Sequence, residues 1–221
     1  NVDSYLWYGG GLKKDFKKAS EDAKKSSINF AKLLEMVAKI NPKLRIRFST
    51  SNPQDMSLDV LKTMSEHSNI CKHIHLPVQS GSDKILGLMN RKHSRLEYLN
   101  LIQKIREYMP DCSISHDMIA GFPGESEKDH QLTLDLMEQV KYEFGYMFKY
   151  SERPGTLAYR KLEDNVPEIT KKKRLQEIVD LQQKHSLYRT RSYIGKTVKV
   201  LIEKESKKST NQWCGRNEQN T

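Results

Sequence analysis

A chain of 221 residues can bury one sizeable core and a small appendage, and its formal charge of +10 at pH 7 favours polyanionic partners. No apolar run approaches the roughly 18 residues of a membrane span and no signal-peptide pattern opens the chain, so a cytoplasmic protein without membrane contact is expected. Cys71, Cys112 and Cys214 lie far apart, which excludes a disulfide scaffold, and no CxxC or CxxxCxxC cluster of metal ligands is present.

In chain order, a Gly9–Gly11 turn leads into a lysine-rich stretch, 13–27, expected as a mobile surface loop. Phe30, Leu33, Leu34, Val37 and Ala38 recur at helical spacing until Asn41-Pro42. Residues 45–50 alternate as a strand, Leu58, Leu61 and Met64 mark a short helix, and 73–78 form the next strand. Ile85, Leu88 and Met89 begin a helical piece; Leu96, Leu99, Ile102, Ile105 and Met109 predict a longer one, ended at Pro110. Residues 113–120 form a strand, Leu132, Leu136, Met137 and Val140 a helix, and 144–150 the last strand of the body.

Four strand units alternating with helices predict an α/β fold with a parallel sheet built by right-handed crossovers. Four strands do not close an eight-stranded barrel, so an open or incomplete (β/α) barrel is expected. One long basic helix follows from Pro167 to Ser192, with Ile169, Leu175, Ile178, Leu181 and Leu187 as its expected buried stripe. Past Gly195, Val198, Val200 and Ile202 repeat at period two, as a strand opening a small β domain. Charge concentrates here: 166–208 holds 12 Lys/Arg against 5 Asp/Glu, either a nucleic-acid surface or a solvated helix face. The opening on Asn1 rather than Met, and the close on Asn217-Glu-Gln-Asn-Thr221, read as the ends of a piece of something longer.

Three strand ends carry candidate chemistry. Gln79-Ser-Gly-Ser82 places an amide, two hydroxyls and a glycine after a strand, suited to a ribose or amino-acid moiety, or to a plain turn with Ser82 as N-cap. Gly121-Phe-Pro-Gly-Glu125 offers flat apolar surface at Phe122 and Pro123 for an adenine-like ring, although Phe122 equally suits a core plug. Glu125, Ser126 and Glu127 read as a helix start that complements the dipole. Arg153, before the Pro-Gly turn, could pair with a carboxylate or stand exposed. Asn90-Arg-Lys-His93 is a basic loop suited to phosphate or a base. His73 and His75 share a strand face and are taken as satisfied histidines rather than metal ligands. No serine-hydrolase elbow, P-loop lysine or GxGxxG fingerprint is present.

Taken together, Arg45-Ile-Arg-Phe-Ser-Thr-Ser-Asn-Pro53, His75-Leu-Pro-Val-Gln-Ser-Gly-Ser-Asp83, Asp117–Glu125 and Ser151–Thr156 resemble the radical S-adenosylmethionine methylthiotransferases, on the tRNA-modifying side rather than the ribosomal-protein side. The resemblance covers nearly the whole chain. It implies that 1–166 is the C-terminal part of a radical barrel, 167–192 a connecting helix, and 193–221 the start of a truncated RNA-binding TRAM domain.

It further implies S-adenosylmethionine as cofactor, 4Fe-4S clusters whose ligands lie in the parent and not in this chain, and tRNA, at its anticodon stem-loop, as partner, with no DNA. The implied reaction is hydrogen abstraction from C2 of an isopentenylated adenine beside the anticodon, followed by insertion of a methylated sulfur. The cofactor residues it implies are Gln79, Ser80, Asp117, Phe122, Pro123, Glu125 and Arg153, with Ser49 and Asn1 at earlier strand ends. Arg91 and His93 fall to the RNA side. No catalytic or metal-binding residue is assigned, and the isolated chain is expected to be inactive. Competing readings are a non-catalytic RNA-binding module, a methylthiotransferase acting on threonylcarbamoyladenosine or a ribosomal protein, and an ordinary β/α-barrel enzyme for a small phosphorylated substrate.

Overall fold

The computed structural model describes residues 2–10, 13–49, 51–209 and 211–221. Its elements are β1 (Leu6–Trp7), α1 (Glu21–Lys25), β2 (Ile28–Asn29), α2 (Phe30–Ile40), α3 (Leu58–Glu66), β3 (His73–His75), α4 (Asp83–Leu88), α5 (Arg95–Tyr108), β4 (Ser113–Ala120), α6 (Glu127–Val140), β5 (Phe144–Lys149), α7 (Leu157–Lys161), α8 (Glu168–Arg191), β6 (Leu201–Glu205) and β7 (Trp213–Arg216). They group into two compact units. One holds Asn1–Ile74, Lys104–Cys112 and Lys199–Thr221, the other His75–Gln103 and Ser113–Val198. Among the described residues, no helix is long and apolar enough to cross a membrane.

In the first unit, Asn29 caps α2 by accepting the Lys32 N–H, and Ser57 caps α3 by accepting the Val60 N–H. Phe30, Ala31, Leu34 and Ala38 of α2, with Val60, Leu61 and Met64 of α3, are buried, as helical periodicity requires. The lysine-rich stretch is largely exposed, but it is not an open loop: a 3-10 turn spans Lys13–Lys18, and Ser20 caps α1. Of the strand expected at 45–50, Thr50 lies outside the described residues, and 45–49 hold one parallel bridge, Ile46 with Ile70, closed by Ile46 N–H to Asn69 O and Cys71 N–H to Ile46 O. Its arginines turn to the β6–β7 hairpin instead. Arg45 Nη1 donates to Arg216 O at 2.6 Å, and Arg47 Nη1 pairs with Glu203 at 2.9 Å. That hairpin begins at Leu201, three residues later than the Val198 expected, and a register shift between Ile202 and Lys204 interrupts it.

In the second unit β4 is the central strand, within the order β3-β4-β5. β5 runs parallel to it, from the pair Ser115–Phe144 to the pair Ala120–Lys149. Along the other edge Pro77 has no N–H to give, so β3 stops early. The ladder nevertheless continues through Leu76 N–H to Ser115 O, Gln79 N–H to Asp117 O and Ile119 N–H to Gln79 O. In α5, Leu96 is 66% exposed, and Tyr98 takes the inward place, its hydroxyl donating to Leu76 O at 3.0 Å.

The long helix α8 keeps only part of its expected stripe: Ile178 is buried, and Leu175 and Leu181 are half-buried. Ile169 is 77% and Leu187 51% exposed, whereas Lys171, Arg174, Ile178, Gln182 and His185 are buried at spacings of three and four. Each buried polar side chain finds a partner for at least one of its polar atoms, which offsets part of the desolvation penalty. Lys171 pairs with Asp164, Arg174 with Glu125, Gln182 Oε1 lies 2.8 Å from His116 Nε2, and His185 meets Glu138 at 3.1 Å. Beneath this helix, Gly145 is required because a Cβ there would overlap the His116 ring.

Candidate functional site

The C-terminal ends of β4, β5 and the parallel segment after His75 meet at one rim of the second unit. Gln79 enters its turn with φ +74°, a left-handed conformation that costs a non-glycine residue roughly 1–2 kcal/mol. Ladder bonds on both sides of it, to Asp117 and Ile119, hold it there. The rest of the turn packs onto α6. Ser80 Oγ lies 3.3 Å from Thr133 Oγ1, Gly81 N–H donates to the same Thr133 oxygen at 3.0 Å, and a Cβ on Gly81 would overlap the Leu132 carbonyl. The close approach that Gly81 allows is therefore to a helix backbone. Ser82 caps α4 as expected and donates its hydroxyl to Asp129 at 2.7 Å. Burial alone would raise the Asp129 pKa; hydrogen bonds from Ser126, Ser82 and Lys84 instead hold it well below the usual carboxylate range.

The Gly121–Glu125 turn bends through two left-handed glycines, Gly121 at +72° and Gly124 at +80°. Phe122 is 5% exposed and meets Tyr150 edge-on at 5.0 Å, in a cluster with Ile85. It also forms a wall of a cleft of about 290 Å³, together with Ile119, Met89, Asn90, Arg91 and Thr156. Pro123 is buried beside it. Glu125 turns inward: its Oε1 accepts the Gly121 N–H and an Arg174 Nη1–H, both at 3.0 Å. Burial pushes its carboxyl upward, outweighing the lowering from these two donors.

Asp117 and His75 lie on the sheet face that also carries Ile119, away from His116 and α8. His75 Nε2 is 3.3 Å from Asp117 Oδ1, and Nδ1 is 2.9 Å from Ser115 Oγ. Tyr146, the register partner of Asp117 on β5, meets the His75 ring edge-on at 5.9 Å. The charge of Asp117 also acts on Arg91.

Gln79, Asp117, Phe122, Pro123 and Glu125 thus gather at one rim, with Ser80 behind it and Arg91 at its edge. Arg153 stands exposed in the loop before α7. Arg91 is exposed, whereas His93 is only 6% exposed, its pKa lowered by burial and its Nε2 without a hydrogen-bond partner. Ser49 is exposed and belongs to the first unit; Asn1 lies outside the described residues. Sequence reasoning missed Ser115, Tyr146 and Arg174. Parity on its own strand puts Ser115 on the face of Asp117 and Tyr146 on that of Phe148, but Arg174 resembled every other basic residue of its helix.

A family profile described as the radical SAM superfamily matches residues 22–137, just over half of the chain. The chain belongs to that superfamily.

Over 221 residues it is 69% identical to the tRNA-2-methylthio-N(6)-dimethylallyladenosine synthase of Christiangramia forsetii, covering all of this chain and 46% of that protein. It is 66% identical over 219 residues to the protein of the same name from Flavobacterium johnsoniae, covering 99% of this chain and 46% of that one. With that of Karelsulcia muelleri it shares 59% over 220 residues, all of this chain and 48% of the relative. The chain spans about half the length of the curated relatives it matches. Among solved structures, coproporphyrinogen III oxidase (HemN) from Escherichia coli, a radical SAM enzyme, superposes with a TM-score of 0.55 at 21% identity, over 70% of this chain and 36% of that one. This last likeness concerns the fold alone.

The residues present do not fit an iron–sulfur cluster. Cys71 and Cys112 are buried free thiols and Cys214 is half-buried, and among the described residues no group of three or more His, Cys, Asp or Glu could hold a metal. They do fit a nucleoside cofactor: the cleft joins an apolar wall at Phe122 and Ile119 to polar groups at Asn90, Arg91 and Thr156.

Proposed function

We propose that the chain is part of a tRNA methylthiotransferase that inserts a methylthio group at C2 of an isopentenylated adenosine beside the anticodon. The observation that carries this reading is 69% identity across every residue of the chain to a relative named for that product. Bound S-adenosylmethionine supplies the hydrogen-abstracting radical. This chain's part is to bind and orient. Phe122 and Pro123 pack against the cofactor's adenine, Gln79 reaches its ribose or methionine portion, and Arg153 faces its carboxylate. Ser80 and Glu125, whose polar atoms are taken up within the protein, position the turn and the wall. The 4Fe-4S clusters belong to the parent.

In this reading residues 1–166 are the barrel part, 167–192 a connecting helix and 193–221 the start of a TRAM domain. The anticodon stem-loop of tRNA is the partner, and the cytoplasm the setting. The β6–β7 hairpin favours RNA contact by the chain itself, since Trp213 is 65% exposed beside the exposed Lys204, Lys207 and Lys208.

Expression of the parent gene in a strain lacking the modification tests the reading by mass spectrometry of tRNA nucleosides. Appearance of the methylthiolated, isopentenylated adenosine is expected. Isopentenylated adenosine left without sulfur would refute it.

A further inference from the structure

Parallel sheets ordinarily have both faces covered. On β5, however, Tyr146 and Phe148 are 56% and 54% exposed, two residues apart and so on one face. They are the register partners of Asp117 and Ile119 on β4. Ile119 also lines the Phe122 cleft, so the aromatic face and the cleft are continuous. Asp117 is fixed beside the aromatics by His75, whose imidazole is held at both nitrogens. With Nε2–H directed at Asp117 Oδ1, Nδ1 accepts the Ser115 hydroxyl. Oδ1 is the carboxylate oxygen that faces His75, and Asp117 is only half-buried.

We propose that Tyr146 and Phe148 are the stacking surface for a second purine, the adenine that is modified, and that Asp117 reads this base by accepting its exocyclic N–H. The inference rests on the tRNA reading and deepens it. Exposed aromatic rings bind any base by its π-face, and the carboxylate adds selectivity for a purine edge that carries a donor. An N6-alkylated adenine keeps one N6–H, so alkylation leaves the contact with Asp117 intact. His75 is a positioning residue, because it acts through the carboxylate that it orients. Asp117, which the family resemblance assigns to the cofactor wall, serves the substrate instead.

The test is calorimetric binding of neutral nucleosides to the 221-residue chain, which keeps phosphate contacts out of the measurement. N6-dimethylallyladenosine is expected to bind. The double variant Tyr146→Ala/Phe148→Ala should weaken it at least tenfold, and Tyr146→Trp should retain binding. Asp117→Asn should weaken it severalfold while leaving N6,N6-dimethyladenosine, which has no N6–H, unchanged. Both aromatics are exposed, so their removal does not open the core, and circular dichroism melts should match the parent chain. Wild-type affinity in the double variant, no nucleoside binding at all, or competition by S-adenosylmethionine would each overturn the assignment. These outcomes are separate from the nucleoside analysis of the parent's activity: a methylthiotransferase without purine binding on β5 defeats only this inference, and binding without activity defeats only the reaction.

Discussion

Arg174 of α8 donates Nη1–H to the Glu125 carboxylate and to the Glu125 carbonyl, each at 3.0 Å, so a helix more than forty residues downstream closes the turn that carries Phe122. The pair is buried, with side chains 7% and 2% exposed, and Glu125 also accepts the Gly121 N–H. Arg174→Ala would leave an unpaired buried carboxylate, a loss on the order of 3–5 kcal/mol. Glu125→Gln keeps an acceptor for Gly121 and should cost clearly less. Urea denaturation of both variants checks the order, and equal losses would contradict it.

The neighbouring turns predict opposite signs for two small substitutions. Gln79 already adopts a glycine-like φ of +74°. Gln79→Gly relieves roughly 1–2 kcal/mol of strain, against about 0.5–1 kcal/mol of added unfolded-state entropy. Thermal stability should therefore hold or rise slightly. Gly81→Ala should be strongly destabilising, because its Cβ would overlap the Leu132 carbonyl of α6. Paired melting curves decide, and a stable Gly81→Ala variant would show that the turn is not packed against α6.

Acid should loosen this unit through its buried histidines. Burial lowers the His116 pKa to about 4, outweighing the help from Gln182 and Asp117, while His75 and His185 lower it further. Burial lowers His130 as well, against the pull of Glu177. A histidine depressed in the folded state is neutral there, whereas the unfolded chain takes up its proton near pH 6.5. Stability is therefore fully present above about pH 6.5 and falls as pH drops toward 4. His116 alone contributes a loss on the order of 3 kcal/mol, at about 1.4 kcal/mol per pKa unit. The urea midpoint should fall across that window, and His116→Asn should flatten the slope.

These features also mark where sequence reasoning carries. The helices α2 and α6 were legible because one face of each is apolar at helical period, with Asn41-Pro42 after α2 and Glu125-Ser126-Glu127 before α6, and β4 was legible from the apolar run at its end. The buried face of α8 was not. Its inward positions are Lys171, Arg174, Gln182 and His185, and their partners lie far off in sequence, at Asp164, Glu125, His116 and Glu138. No local rule marks a charged residue as buried when the group that satisfies it comes from another element. The partner of Glu125 was hidden for the same reason: a helix-start acid satisfies the local rule without one, and Arg174 comes from another element. Tyr98 displaced Leu96 inward because its hydroxyl found Leu76 O, a tertiary acceptor that periodicity does not register.

If the β6–β7 hairpin contacts RNA, the contact is mostly to phosphate, and salt should report it. Lys204, Lys207 and Lys208 are exposed. Each lysine that neutralises a phosphate releases condensed counterions, contributing roughly 0.7 to the slope of log K against log salt on single-stranded RNA. Lys204→Glu/Lys207→Glu/Lys208→Glu should therefore weaken binding of an anticodon stem-loop at low salt and flatten the slope by about 2. Trp213→Ala should behave differently. A stacked base is lost without a change of charge, so affinity should fall by roughly five- to a hundredfold while the slope stays the same. Filter binding at several salt concentrations separates the two effects, and a triple variant with unchanged slope would remove the hairpin from the RNA path.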